Sequence, residues 1–149
     1  MPGLRLGYAL CGDTELLDRM RLCGPDWAVS NIAQDAGIAA LKNGREYIEK
    51  SCEYLKKERI YVMNELEYAK FTVYPSYANF IFFHCPCDVG LYGELRKKGI
   101  IIRDCSNFKG LEQGYYRTAV LTAEKNKLLA EAILDCVQSK VVKTLWQNQ

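Results

Sequence analysis

The feature that most constrains the fold is a stretch of about 40 residues, 30–68, that contains no proline and repeats apolar side chains near helical spacing. A typical helix has only about 12 residues, and a helix of this length cannot be buried by one small domain. Gly37 and Gly44 are weak points in the pattern. The stretch therefore predicts one long helix, or two helices with a break at residues 42–44, and we expect it to bridge two domains.

The segments before this stretch give shorter signals. Leucine and tyrosine alternate with other residues over positions 4–10, which predicts a short strand. Asp13 or Thr14 is suited to cap a short helix, and Gly24-Pro25 ends it.

After residue 68 the pattern changes to short apolar runs separated by turns. We predict strands at 71–74, 78–84, 100–103 and 115–121, helices at 88–98 and from Thr122 to about Val137, and a tail at 139–149 that extends the last helix or frays. The order β-β-α-β-β-α predicts a small α+β domain, in which helices pack against a mostly antiparallel sheet.

Composition excludes several classes of protein. Hydrophobic residues make up 49% of the chain and charged residues 26%, so a globular core is expected rather than disorder. The net charge of +2 is too small to favour nucleic acid, and no apolar run approaches the roughly 20 residues of a membrane span. The seven scattered cysteines are interpreted as buried free thiols of a cytoplasmic protein. His84, Cys85 and Cys87 lack zinc-site spacing, so no metal is expected.

Arg103 and Arg117 are the charged residues that interrupt apolar strands. Each predicts either a structural ion pair, for instance with Asp104 or Glu112, or an anion site for a carboxylate or phosphate. The sequence leaves both alternatives open.

Arg5 and Asn79 are further candidates. Arg5 lies between glycines, where its planar fork suits a phosphate, although a surface ion pair is the plainer alternative. Asn79 begins a strongly apolar strand, either as a sheet contact or as a site residue. Because His84 is the only histidine and no phosphate-binding loop is found, an enzyme built on this chain would depend on a cofactor for its chemistry.

Five segments, in order along the chain, resemble the fold-type I aminotransferases that use pyridoxal phosphate (PLP). Gly3-Leu4-Arg5-Leu6-Gly7-Tyr8 is similar to the stretch that follows the family's Schiff-base lysine. The other four segments are 27–34, similar to the opening of the interdomain helix, 77–80, similar to the family's Ala-Asn-Phe strand, 99–108 and 115–120. The resemblance covers nearly the whole chain.

The resemblance implies an α/β PLP-transferase fold, of which this chain is the C-terminal part. Its expected regions are a remnant of the large PLP-binding domain at 1–29, the interdomain helix at 30–68, the small α+β domain at 69–138 and the tail at 139–149. By the same resemblance Arg5 binds the PLP phosphate, Arg117 holds the substrate carboxylate, and Arg103 and Asn79 contact the substrate.

Residues 99–111 are similar to the threonine-phosphate decarboxylases of cobalamin biosynthesis, because Arg103-Asp104-Cys105-Ser106 follows the isoleucine run and Gly110-Leu111 comes soon after. Histidinol-phosphate aminotransferases are the alternative branch and diverge after the arginine. In both, PLP serves as an electron sink. A substrate carboxylate held in the ring plane favours transamination, and one held out of plane favours decarboxylation.

The family's lysine would stand a few residues before Gly3, where only Met1 and Pro2 are found. We therefore expect the chain alone to be inactive, with no catalytic residue of its own and no bound PLP. The intact family is dimeric, and apolar faces at 4–10 and on the long helix would be exposed, so a homodimer or higher oligomer is expected. Two alternatives from other classes are a stand-alone anion-binding module using Arg103 and Arg117, and a dimerisation protein.

Overall fold

The structure, a computed structural model, describes residues 2–86 and 90–147. The chain divides into two compact units, Met1–Lys50 and Ser51–Gln149. The four regions expected from the family resemblance stay a prediction.

The first unit is helical. A single 3-10 turn at Pro2–Leu4 precedes helices α1 (Thr14–Cys23) and α2 (Asn31–Asn43), and the unit ends inside helix α3 (Arg45–Tyr68). The predicted cap of α1 is confirmed, since the Asp13 carboxylate accepts a hydrogen bond from the Leu16 N–H at 3.0 Å.

The predicted strand at 4–10 is wrong. Residues 6–10 have no regular secondary structure, and Arg5 has a left-handed backbone with φ 55°. A strand requires a hydrogen-bonded neighbour, and no strand among the described residues pairs with this segment. The alternating pattern at 4–10 shows that the segment could pair in a sheet, but the pattern cannot show whether a partner strand is present.

The predicted break in the long helical stretch is confirmed at Gly44. The N–H of Gly44 donates to the Ala40 carbonyl at 2.8 Å and closes α2, after which α3 begins at once. A Cβ at position 44 would lie 2.3 Å from that carbonyl oxygen, so a side chain does not fit here. Glycine thus divides the stretch into two helices.

The second unit has the predicted order β-β-α-β-β-α after α3. Its elements are β1 (Thr72–Val73), β2 (Phe80–His84), α4 (Leu91–Lys97), β3 (Arg103–Asp104), β4 (Tyr115–Ala119) and α5 (Ala123–Gln147). The strands form a sheet in the order β1-β2-β4-β3, and all three pairings are antiparallel. The predicted small α+β domain with an antiparallel sheet is confirmed.

Several predicted strand boundaries in this unit differ from the structure: β1 spans only Thr72–Val73, residues 78–79 lie outside β2, and β4 ends at Ala119 rather than at 121. Helix α5 continues to Gln147, which is the predicted alternative in which the tail extends the last helix. Of the predicted helix 88–98, residues 88 and 89 lie outside the described part of the chain. The same holds for the end of the tail, 148–149.

The isoleucine run at 100–102 is not a strand, contrary to the prediction. Helix α4 ends in a turn with Gly99 at φ 76°, and the Ile100 N–H donates to the Leu95 carbonyl at 3.0 Å. This 6→1 bond is typical of the Schellman motif, so Ile100 belongs to the helix cap. Sheet pairing begins only at Arg103, because β-branched residues favour a strand only where a neighbour is available.

Strands β2 and β4 separate a buried face from an open one. Ile81 and Phe83 are fully buried, and their cross-strand neighbours Thr118 and Tyr116 are buried as well. Ile81, Phe83 and Tyr116 pack into a core with residues of α3, α4 and α5. The alternate residues form what we call the open face of the sheet: Phe80, Phe82, His84, Tyr115, Arg117 and Ala119.

The prediction of buried thiols is correct for part of the set. Cys85, Cys105 and Cys136 are buried, whereas Cys11, Cys23 and Cys52 are exposed and Cys87 lies outside the described residues. Cys23 and Cys52 lie on the solvent-exposed sides of α1 and α3, and Cys11 lies in the segment before α1. Within the described residues, no helix is long and apolar enough to cross a membrane, and no cluster of metal-binding side chains is found.

A buried polar network joins α3 to the start of α5. The Asn126 amide donates to the Glu58 carboxyl at 2.8 Å and to the Leu121 carbonyl at 3.0 Å, and its oxygen accepts from the Leu121 N–H at 2.9 Å. Next to it, the Tyr54 hydroxyl accepts from the Ala123 N–H at 2.8 Å. Because Glu58 and Asn126 are 5% and 1% exposed, water cannot replace these bonds.

We expect Asn126→Ala to destabilise the chain by about 2 kcal/mol, since it leaves the buried Glu58 carboxyl without its hydrogen-bond donor and removes two hydrogen bonds to the Leu121 backbone. Urea unfolding followed by circular dichroism measures the change. Glu58→Gln is the control, because it keeps an acceptor oxygen and should cost less. A loss below about 1 kcal/mol for Asn126→Ala would mean that the network contributes little.

Candidate anion-binding site on the open face of the sheet

Arg117 and Arg103 are neighbours across two strands. Arg117 lies in the middle of β4, where the alternation that buries Tyr116 and Thr118 turns it to the open face. In the β3–β4 pairing Arg103 is directly opposite Arg117. Directly opposed residues of an antiparallel pair project from the same face, so the sheet register brings the two guanidinium groups to one place.

Neither arginine forms the ion pair that was one sequence-based alternative. Among the described residues, no carboxylate oxygen lies within 4.0 Å of a nitrogen of Arg103 or Arg117. The Asp104 carboxylate instead accepts from the Ser106 N–H at 2.9 Å. Arg103 donates to the side-chain oxygen of Asn107 at 3.3 Å, which is a neutral partner.

Both arginines lie over aromatic rings instead. The guanidinium carbon of Arg117 lies 4.7 Å from the centre of the Phe80 ring, and that of Arg103 lies 5.6 Å from the centre of the Phe108 ring. Both distances are within the range of a cation–π contact. A stacked guanidinium keeps its N–H groups at the edge, where they can donate to an anion.

A cavity of about 560 Å³ lies at this position. Its lining residues come from the start of β2 and the residue before it, from α4, from the segment between α4 and β3, and from both arginine-bearing strands: Asn79, Phe80, Tyr92, Ile101, Ile102, Arg103, Asp104, Arg117 and Ala119. Three of the predicted site residues, Asn79, Arg103 and Arg117, are thus brought together. A volume of this size is ordinary for a small-molecule site.

The turn that carries Asn79 is fixed at three successive carbonyl groups. The Arg59 guanidinium donates to the Ala78 carbonyl at 3.0 Å, the Val120 N–H donates to the Asn79 carbonyl at 2.8 Å, and the Ser76 hydroxyl donates to the Phe80 carbonyl. Asn79 itself stands one residue before β2 and is exposed, rather than lying within a buried strand. Asn79 therefore lines the cavity from a backbone held by hydrogen bonds on both sides.

Cys105 is the thiol nearest the arginines in sequence, and its environment makes it unreactive. Burial raises the pKa of the Cys105 thiol, and the positive charges of Arg117 and Arg103 offset this only in part. The thiol therefore stays protonated at neutral pH. His84 stacks on Tyr115, with ring centres 4.4 Å apart, and is not among the cavity residues.

Arg5 belongs to the first unit and is described separately from the cavity of the second unit. It is exposed, forms no hydrogen bond or ion pair with another described residue, and has a left-handed backbone that only glycine adopts easily. An arginine held this way with free donors fits one contact to a phosphate group. A Cβ at Gly3 or Gly7 would meet nothing within 4 Å, so close backbone approach at these glycines is not observed.

Sequence reasoning missed Phe80, Phe108 and Tyr92. Phe80 follows Asn79 directly, and its diagonal relation to Arg117 requires the β2–β4 register. Phe108 is five residues after Arg103 in a polar loop, where an exposed aromatic was a signal that could have been used. For Tyr92 on α4 the sequence holds no signal, since its position depends on how the helix packs.

The chain matches proteins of known family over almost its full length. The model of the class I and II aminotransferases matches residues 1–133. A histidinol-phosphate aminotransferase from Methanothermobacter thermautotrophicus is 34% identical over 143 residues, which are 93% of this chain and 38% of that protein. A threonine-phosphate decarboxylase from Salmonella typhimurium is 34% identical over 135 residues, 89% of this chain and 37% of that protein.

Solved structures agree. The crystal structure of the histidinol-phosphate aminotransferase from Clostridium acetobutylicum matches with a TM-score of 0.84 and 31% identity, over 93% of this chain and 42% of that one. The chain thus spans well under half the length of the relatives that it matches. With the family model covering most of its residues, it belongs to the class I and II aminotransferases, a PLP-dependent family.

Proposed function

We propose that this chain supplies the substrate-anion site of a PLP-dependent enzyme that acts on a phosphorylated amino acid. The observation that carries the proposal is the direct pairing of Arg103 and Arg117 on one sheet face without a carboxylate partner. Two adjacent cations without counter-ions favour a ligand that brings two negative groups.

Arg117 is proposed to bind the substrate carboxylate, and Arg103 and Asn79 the phosphate. Arg117 lies in the middle of a central strand, so its position is fixed and suits the group whose orientation matters for the reaction. Arg103 is at the edge of the sheet beside a polar loop, where a longer phosphate-bearing chain can be accommodated. The Asn79 amide adds neutral donors to the same cavity.

Arg5 is proposed to bind the phosphate of PLP, which supplies an electron sink when bound. Support comes from its free guanidinium, its strained backbone and its place in the Gly-x-Arg-x-Gly-Tyr sequence. What this chain contributes to the reaction is therefore the holding of anions, and the holding of the substrate carboxylate decides which bond is weakened.

The branch that we favour is threonine-phosphate decarboxylase, with histidinol-phosphate aminotransferase as the alternative. Relatives of both names match at 34% identity, so similarity does not separate them. The favoured branch is supported by Arg103-Asp104-Cys105-Ser106 with Gly110-Leu111. The substrates differ chemically, since O-phospho-L-threonine has a carboxylate and a phosphate, whereas histidinol phosphate has only the phosphate.

We expect Arg117→Met to weaken binding of O-phospho-L-threonine about 10- to 100-fold, the loss of one charge-assisted contact, as measured by isothermal titration calorimetry. Binding of histidinol phosphate should change less than about 3-fold, because it lacks the carboxylate that Arg117 holds. Arg103→Met should weaken the binding of both ligands, because both carry the phosphate that Arg103 is proposed to hold.

Arg96→Met is the matched control. Arg96 is exposed on α4 in the same unit and does not line the cavity. It removes the same charge, so an equal loss in this variant would mean that general electrostatic attraction and not the arginine pair binds the ligand. Failure of the unaltered chain to bind either ligand would contradict the proposed function.

We expect these 149 residues on their own to form no covalent bond to PLP and to release no product from either substrate. No lysine in the sequence stands in the family's motif position, and Lys42 and Lys50 on α2 and α3 lie outside it. Mass spectrometry after incubation with PLP and borohydride reduction provides the measurement. Stoichiometric labelling of one lysine, lost when that lysine is changed to arginine, would contradict the prediction.

A dimeric state is also proposed, and here the first unit provides the support. Of the described residues up to Lys50, only Ala33 and Gly37 are buried, while Trp27 and Leu10 are 94% and 90% exposed. Apolar surface of this extent favours association. A dimerisation module would share this property, but it gives no account of the arginine pair.

We expect light scattering to give the molar mass of at least a dimer. Leu41→Glu should lower this mass toward that of a monomer, because the substitution puts a charge on the apolar surface of α2. Leu128→Glu on α5, a similarly exposed leucine of the second unit, is the control and should leave the mass unchanged. A monomer at all concentrations for the unaltered chain would contradict this proposal.

A further inference from the structure

Resting on the proposed anion site, we propose that Phe80 is a positioning residue, which holds the Arg117 guanidinium by its flat face and thereby keeps its N–H edge available to the ligand. Phe108 performs the same role for Arg103. These two contacts are the cation–π pairs found among the described residues, and both belong to the arginines of the cavity.

The need for such a device follows from the sheet register. Arg103 and Arg117 are directly opposite in the β3–β4 pairing, and like charges in directly opposed positions are destabilising. A carboxylate partner would relieve the repulsion but would also occupy the donors. An aromatic face attracts the cation through its quadrupole and leaves the donors at the guanidinium edge unused.

The geometry of β2 and β4 places Phe80 correctly for this role. Phe80 is opposite Ala119 and Phe82 is opposite Arg117, so Phe80 is the diagonal neighbour of Arg117 on the open face. Diagonal neighbours are about 7–8 Å apart at the backbone, a distance that an aromatic ring and an arginine can span. The small Ala119 side chain leaves room for the ring to turn toward the arginine.

Phe80 is also held firmly enough to act as a platform. Its carbonyl accepts from the Ser76 hydroxyl, and the two preceding carbonyls are held by the Val120 N–H and the Arg59 guanidinium. At the same time its side chain is 39% exposed, so the ring is not part of the hydrophobic core. A fixed backbone with an exposed ring fits positioning better than core packing.

Phe108 offers a weaker version of the same arrangement. It stands in the loop between β3 and β4, is 45% exposed, and lies 5.6 Å rather than 4.7 Å from its guanidinium carbon. Arg103 has the additional hydrogen bond to Asn107. Removing Phe108 is therefore expected to affect Arg103 less than removing Phe80 affects Arg117.

The test measures the stack and the binding separately in the full chain. In proton–nitrogen NMR spectra the ring current of Phe80 should shift the Arg117 Nε–H signal, and Phe80→Leu should abolish that shift while Phe80→Tyr, which keeps the ring, should restore it. Titration with O-phospho-L-threonine should show about 3- to 10-fold weaker binding for Phe80→Leu and a smaller loss for Phe108→Leu. Tyr77→Leu, at a residue 94% exposed in the same turn, is the control and should behave as the unaltered chain.

A double-variant comparison separates positioning from general structure. If Phe80 acts through Arg117, Phe80→Leu should have no further effect on affinity once Arg117 is changed to Met, whereas independent effects would multiply. Unfolding midpoints of the single variants in urea report any general loss of structure, and Phe108→Leu in its exposed loop keeps the test valid if Phe80→Leu does not fold.

The outcomes are distinguishable. If the unaltered chain binds O-phospho-L-threonine and Arg117→Met weakens binding while Phe80→Leu binds equally well, the positioning role is overturned and the proposed function stands. The positioning role is also overturned if the losses of affinity caused by Phe80→Leu and Arg117→Met multiply in the double variant. If the unaltered chain binds no ligand, the proposed function fails and the positioning role fails with it, whatever the NMR shift shows.

Discussion

The pairing of β2 with β4 is the constraint on which the second unit depends. Its register runs from Phe80 opposite Ala119 to His84 opposite Tyr115. This pairing buries Ile81, Phe83, Tyr116 and Thr118 against the helices, and by alternation it turns Arg117 and Phe80 to the open face. A slip of one residue would reverse both faces, because the side-chain period of a strand is two. The hydrophobic core therefore stabilises the position of the site as well as the fold.

The site in turn depends on contacts made by the core elements. Helix α3 supplies Arg59 to the turn before β2, and it supplies Glu58 and Tyr54 to the start of α5. One helix thus holds both the turn before β2 and the start of α5. The two opposed arginines repel each other, and the packed core of the unit offsets this local destabilisation.

Much of the fold was predictable because it follows from local pattern. The element order after residue 68, the break at Gly44 and the cap at Asp13 all come from interactions within a few residues, such as a side chain accepting from a nearby N–H. The strand predicted at 4–10 is wrong, and the strand predicted at 100–103 begins only at Arg103. No described strand pairs with residues 4–10. The Ile100 N–H donates to the Leu95 carbonyl at the end of α4 and is therefore not available to a neighbouring strand.

By itself, the sequence determined the family resemblance, the α+β order, and the arginines and asparagine that stand out as candidates, because residue type and spacing are local properties. Only the tertiary structure decided that Arg103 and Arg117 are opposed on one face, that neither is paired with Asp104 or Glu112, and that Phe80 and Phe108 lie beneath them. These facts depend on strand register and on the path of loops far apart in sequence, and such long-range pairing is not encoded in any short segment.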